Sequence, residues 1–179
     1  MKKIGIVMGS DSDLPIIKKA TDLLRTLEIP FEVHVYSAHR TPEEARNFAR
    51  SARENGFGVL IAAAGMAAHL AGAFEVIIAA AGKAAHLAGV LAAHTTLPVI
   101  GIPCKSAAFG GIDALLSTVQ MPTGIPVATV AVDGGANAAL LAAQILAVED
   151  AALAEKLDAK RQKDAQAVLE KDAAILERL

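Results

Sequence analysis

Residues 3–27 read KIGIVMGSDSDLPIIKKATDLLRTL, and the reading of this stretch decides the fold. Residues 3–8 are a short, β-branched apolar run that stops at Gly9, the pattern of a strand buried on both faces. The turn GSDSD (9–13) follows, with Ser and Asp as helix caps and Pro15 near the first helical position. Ile16, Ile17, Ala20, Leu23, Leu24 and Leu27 then recur at helical spacing.

Outward from this unit the same order repeats. Ile29-Pro30 ends the helix, and Phe31 to Tyr36 alternates as a second strand that terminates in Ser37-Ala38-His39-Arg40. Thr41-Pro42-Glu43-Glu44 predicts a helix start, with Thr41 as the cap, Pro at the first position and acids in the first turn, and Gly56 closes that helix. Further strands are expected at 59–65, 76–82, 98–103 and 126–132, and helices at 86–95, 109–119, 135–147 and from about 150 to 175. Alternating strands and helices require a parallel sheet with helices on both faces. Right-handed crossovers then make a three-layer flavodoxin-like or Rossmann-like α/β domain the economical topology. Residues 1–148 supply that domain. Residues 149–179, without Gly or Pro, read as a long amphipathic C-terminal helix packed on the domain or on a neighbouring subunit.

Composition narrows the partners. The chain has 179 residues, 54% hydrophobic and 3% aromatic with no Trp, so Ala, Val, Ile and Leu must fill its core. A formal net charge of −2 offers no basic field for a phosphate backbone, which argues against nucleic acid. The single cysteine, Cys104, excludes an intramolecular disulfide, fits a reducing cytoplasm and reads as a buried structural thiol. The apolar run after Met1 is too short for a secretory leader. The apolar stretches 57–73 and 74–104 are broken by Gly65, His69, Glu75, Lys83, His86 and His94, so they read as buried strands and Ala-rich helices, with no membrane span.

A tandem repeat interrupts the alternation. Residues 57–73 (FGVLIAAAGMAAHLAGA) and 74–90 (FEVIIAAAGKAAHLAGV) align without gaps, differing at 58/75, 60/77, 66/83 and 73/90. Two units of a strand and its loop do not make a solenoid. The duplication yields either an added strand or one displaced copy. We expect displacement of the first copy, because the second keeps strand, loop and helix contiguous.

In open α/β sheets, ligands bind beyond the carboxyl ends of the strands, where strand order reverses. GSDSD brings amides at a helix N-terminus, two hydroxyls and two carboxylates there; it can hold a phosphate or simply cap the helix. Arg40 can fork onto phosphate or carboxylate, or pair with Glu43 or Glu44. His69 and His86 sit among Ala, Leu and Gly, as packed rings or as acid-base groups working near neutral pH. No metal motif, P-loop or dinucleotide fingerprint is present.

GIVMGSDSD, VYSAHRTPE, AAHLAG, LPVIGIP and LLSTVQMPTGIPVATVAV with NAALLAAQILA together resemble the class I PurE family over residues 4 to about 148. The resemblance implies a flavodoxin-like octamer with sites between subunits, QMPTG (120–124) near the site, and a small ribonucleotide substrate of purine biosynthesis. It implies conversion of N5-carboxyaminoimidazole ribonucleotide to the 4-carboxy isomer, without cofactor or metal. Substrate-binding roles fall on Ser10, Asp13 and Arg40, with Ser12, Ser37 and His39 lining the pocket. The catalytic histidine falls on His86 by downstream spacing, our preference, and on His69 by upstream spacing. Ala63 or Ala80, Met66 or Lys83, and Ala71 or Ala88 depart from the commonest loop pattern. The alternatives are direct carboxylation of aminoimidazole ribonucleotide, as in the class II relatives, and a folded but disabled duplicate.

Overall fold

The computed structural model describes residues 2–37, 40–64, 87–106 and 109–174. Strand β1 (Lys3–Met8) is followed by a 3-10 turn (Asp11–Asp13), α1 (Leu14–Thr26), β2 (Phe31–Val35), α2 (Pro42–Ser51) and β3 (Phe57–Ala64). Then come α3 (Leu87–Ala93), β4 (Val99–Pro103), α4 (Ile112–Val119), β5 (Ala128–Thr129), α5 (Gly135–Ala147) and α6 (Ala151–Ala173). The strands form one sheet in the order β2-β1-β3-β4-β5, every pair parallel. This is the flavodoxin-like three-layer α/β fold with a long C-terminal helix.

The pleat sends alternate residues to opposite faces. Ile4, Ile6, Met8, Val59, Ile61, Ala63, Ile100 and Ile102 meet α1, α5 and the start of α6 on one side. Val7, Leu60, Ala62 and Val99 meet α2, α3 and α4 on the other. Small residues on α2 and α5, among them Ala45, Ala49, Ala138 and Ala142, let those helices lie close to the sheet. In α6, the Asp150 carboxylate caps the Leu153 amide at 3.0 Å, and only Leu153 and Leu157 are buried. Lys156 reaches the carboxylate of Glu28. From Arg161 to Asp172 every residue is exposed.

Several expectations need correction. The sheet takes its third strand from the first copy of the repeat: Leu60↔Val99 and Ile6↔Ile61 registers clasp β3 on both edges, so the first copy's strand is not displaced. The expected strand at 76–82 lies outside the described residues, while α3 spans Leu87–Ala93, within the expected 86–95. Strand β5 is only Ala128–Thr129, although Val130 N–H still donates to the Gly101 carbonyl at 3.2 Å. Helix α4 starts at Ile112 rather than 109 because Gly110 and Gly111 take φ of +61° and +96°. Thr41 stands at the N-cap of α2 but caps nothing with its side chain. Its hydroxyl instead accepts from the Ser37 amide at 2.8 Å and bonds the Ser37 carbonyl, closing the loop that carries Arg40.

Candidate functional site

The chain passes from β1 to β2 on one side and to β3 on the other, so the sheet changes direction at β1. Beyond the carboxyl end of β1, Ser10 takes an extended backbone (φ −153°) and its hydroxyl oxygen accepts from the Ser12 amide at 3.3 Å, starting the 3-10 turn. Beyond β2, the Ser37 hydroxyl oxygen accepts from the Arg40 amide at 3.2 Å. The Arg40 guanidinium crosses to the first loop and donates from Nη2 to the Gly9 carbonyl at 3.3 Å. Glu43 pairs with Arg46 instead, so Arg40 is not the helix-surface ion pair that was the other reading.

These residues bring Gly9, Ser10, Asp11, Val35, Ser37, Arg40 and Thr41 around a cleft of about 290 Å³. It offers one guanidinium, hydroxyls and the amides of a helix entrance, a donor set for an anion. Ser12 is exposed on the turn beside it. His39, His69 and His86 lie outside the described residues. Among the described residues no three His, Cys, Asp or Glu side chains gather as a metal site.

Asp13 faces inward from the turn, with only 6% of its surface exposed. Burial pushes its carboxyl up to about 6; the Asp133 and Asp11 charges add to the rise, while the Ser10 backbone and the Cys104 thiol hydrogen-bond it and oppose it. A carboxyl titrating there exchanges between hydrogen-bond donor and acceptor close to neutral pH. Asp133 and this use of Cys104 escaped the sequence reading. The available signal was the Asp-Gly-Gly run at 133–135, since Asp tolerates the left-handed backbone that Asp133 adopts at φ +57°.

A larger cleft, about 670 Å³, opens at the opposite, amino-terminal edge of the sheet between Arg50, Arg53, His94, Thr96 and Gly124. Of the candidate residues, Gly124 at the end of the QMPTG segment lines it and those of the Ser10–Arg40 cleft do not. Burial, with the nearby Arg50 and Arg46 charges, holds His94 below the ordinary imidazole range. The QMPTG segment belongs to this edge, so one chain does not bring it to the Ser10–Arg40 cleft.

A parallel flavodoxin-like sheet with an anion cleft beside its point of reversal defines a class: small-ligand α/β domains that bind at their strand ends. Within that class the AIR carboxylase family matches residues 3–74 and 73–167, and the chain belongs to it. The two matches meet where the first repeat copy gives way to the second, so each side of the family pattern carries its own copy. The chain is 51% identical to an N5-carboxyaminoimidazole ribonucleotide mutase of Pyrococcus abyssi, covering 90% of this chain and 83% of that protein. It is 50% identical to the mutase of that name in Bacillus subtilis, covering 93% and 94%. The crystal structure of Treponema denticola PurE matches with a TM-score of 0.74 at 27% identity, covering 95% of this chain and 96% of that one.

Proposed function

We propose that this enzyme is a mutase, an isomerase of purine biosynthesis, that converts N5-carboxyaminoimidazole ribonucleotide to its 4-carboxy isomer. The observation that carries the reading is half-identity across nearly the whole chain to relatives bearing that name. The Ser10–Arg40 cleft supports it, because a ribonucleotide presents a phosphate that such donors recognise. In this reading Arg40, Ser10 and Ser12 take the phosphate, with Ser37 and His39 lining the pocket. Asp13 bonds the ribose. A cytoplasmic location and an octamer completing each site with a neighbour's QMPTG segment belong to the same reading. The exposed Ile112, Leu116 and Val119 on one ridge of α4 support self-association.

The chemistry follows from a single imidazole, His86 by preference and His69 otherwise. A protonated ring gives its proton to N5 as the N–CO₂ bond breaks, leaving aminoimidazole ribonucleotide, carbon dioxide and a neutral ring. C4 then attacks the held carbon dioxide, and the ring removes the C4 proton and is recharged. Confinement makes the recapture effectively intramolecular.

Incubating the protein separately with N5-carboxyaminoimidazole ribonucleotide, and with aminoimidazole ribonucleotide plus bicarbonate, tests the assignment. Turnover of the first is expected. Turnover of the second alone favours direct carboxylation, and turnover of neither favours the disabled duplicate.

A further inference from the structure

We propose that Asp133 is a positioning residue of the candidate site: it grips the chain on both sides of Cys104 and thereby sets the thiol against the Asp13 carboxyl. This rests on the reading of Asp13 as a substrate-binding group. The Asp133 amide donates to the Pro103 carbonyl at 2.9 Å, and its Oδ1 accepts from the Lys105 amide at 2.9 Å. Residues 103 and 105 are thus both fixed by one side chain and its own backbone. Between them Cys104 is buried, and its single thiol proton is shared between the Ile102 carbonyl, 3.6 Å from Sγ, and the Asp13 carboxyl, which it helps to hold down.

The backbone of Asp133 lies at φ +57°, a left-handed conformation that Asp accepts more readily than most residues with a side chain. The turn it begins is braced in turn by Gly135, where an added Cβ would lie 2.2 Å from the Ile16 carbonyl oxygen of α1. Asp133 therefore ties the end of β4 to the entrance of α5, within electrostatic reach of the Asp13 carboxyl. Asp13 is faced by Asp11 on its own turn, Cys104 at the end of β4 and Asp133 before α5. The ordinary alternative is that Asp133 serves only as a turn residue, in which case Gly, which takes the same backbone, would replace it without effect on KM.

Asp133→Asn keeps the tolerated backbone and the acceptor for Lys105 and removes only the charge. Cys104→Ala removes the thiol and Cys104→Ser restores a donor. Isotope-edited infrared titration of the protonated Asp13 carboxyl, assigned with Asp13→Asn, reads the result without substrate. We expect the Asp13 midpoint to fall in Asp133→Asn, to rise in Cys104→Ala, and to return towards wild type in Cys104→Ser. Asp133→Gly, which keeps the backbone but loses the grip on Lys105, should raise KM for N5-carboxyaminoimidazole ribonucleotide several-fold while kcat holds. Asp133→Gly and Asp133→Asn share the lost charge and differ in the grip, so an Asp13 midpoint and a KM that are the same in the two variants overturn the proposal, as does a midpoint unmoved in Cys104→Ala. Midpoints that move in an enzyme inactive on that nucleotide support the positioning role and overturn the functional reading instead.

Discussion

The Arg40 guanidinium donates to the Gly9 carbonyl at 3.3 Å, tying the end of β2 to the end of β1 across 31 residues of sequence. Among the described residues this one bond leaves most of its five N–H donors for a ligand, and the planar fork cannot be reproduced by an ammonium. Arg40→Lys and Arg40→Ala should each raise KM by about tenfold or more, the worth of one charge-assisted hydrogen bond of about 1.5–3 kcal/mol. Steady-state kinetics on N5-carboxyaminoimidazole ribonucleotide measure this. An unchanged KM in both variants removes Arg40 from the phosphate site.

Burial of the Asp13 carboxyl should cost the folded chain stability at neutral pH. That carboxyl is pushed up from 3.8 to about 6 on folding, so its contribution is favourable below 3.8 and is lost as pH rises through 6. Asp13→Asn removes the cost of a buried charge, at most about 3 kcal/mol for a shift of this size. Denaturant unfolding should show the variant gaining on wild type between about pH 4 and about pH 7, with turnover reduced. A gain that is the same at both pH values contradicts the assignment.

The alternation of strands and helices and the Ser10 cap of the GSDSD turn were legible because local pattern specifies them. Three features were not. Residues 57–64 and 74–81 carry nearly the same apolar run, so choice between them depends on pairing with β1 and β4, which no local signal encodes. Thr41 has the composition of a cap, yet its hydroxyl is recruited by Ser37, four residues back. Asp13 looked like an open ligand in sequence, and only the approach of Cys104 and Asp133 from β4 and the α5 entrance encloses it.

Gly135 is a packing requirement for the site. A methyl group there meets the backbone oxygen of Ile16 at 2.2 Å, and no rotamer change can relieve a backbone contact. Gly135→Ala should cost about 3 kcal/mol and raise KM by shifting α5 against α1. Gly56→Ala makes the control: with φ +80° and nothing within 4 Å, it should cost only about 1–2 kcal/mol of backbone strain and leave KM alone. Comparable unfolding midpoints for the two variants would refute the packing argument.

The two repeat histidines can be separated by single substitutions. Helix α3 begins at Leu87, so His86 immediately precedes its first turn, whereas His69 follows β3 by five residues. The downstream spacing favours His86. His86→Ala should abolish turnover with nucleotide binding and assembly retained, and His69→Ala should leave the rate within about twofold, since a bystander ring supplies no acid-base factor. If His69→Ala alone is inactive, the loop following β3 carries the shuttle. If neither changes the rate, the proton shuttle is wrong.

Deleting residues 66–82 tests what the duplication does. The sheet already uses the first copy's strand, and α3 already follows the second copy's loop, so joining Gly65 to Lys83 restores AAAGKAAHLAG with the spacing of a single copy. The connection between Ala64 and Leu87 shortens from 22 residues (65–86) to 5 (65 and 83–86). Closing the shorter connection saves about 1 kcal/mol of chain entropy, because the cost grows only with the logarithm of length. The shortened chain should keep the strand order β2-β1-β3-β4-β5, unfold at slightly higher denaturant, and turn over N5-carboxyaminoimidazole ribonucleotide at least as fast as the full chain. Loss of folding or of turnover on deletion would mean that the extra residues have become part of the enzyme, and the one-copy account of the site would be abandoned.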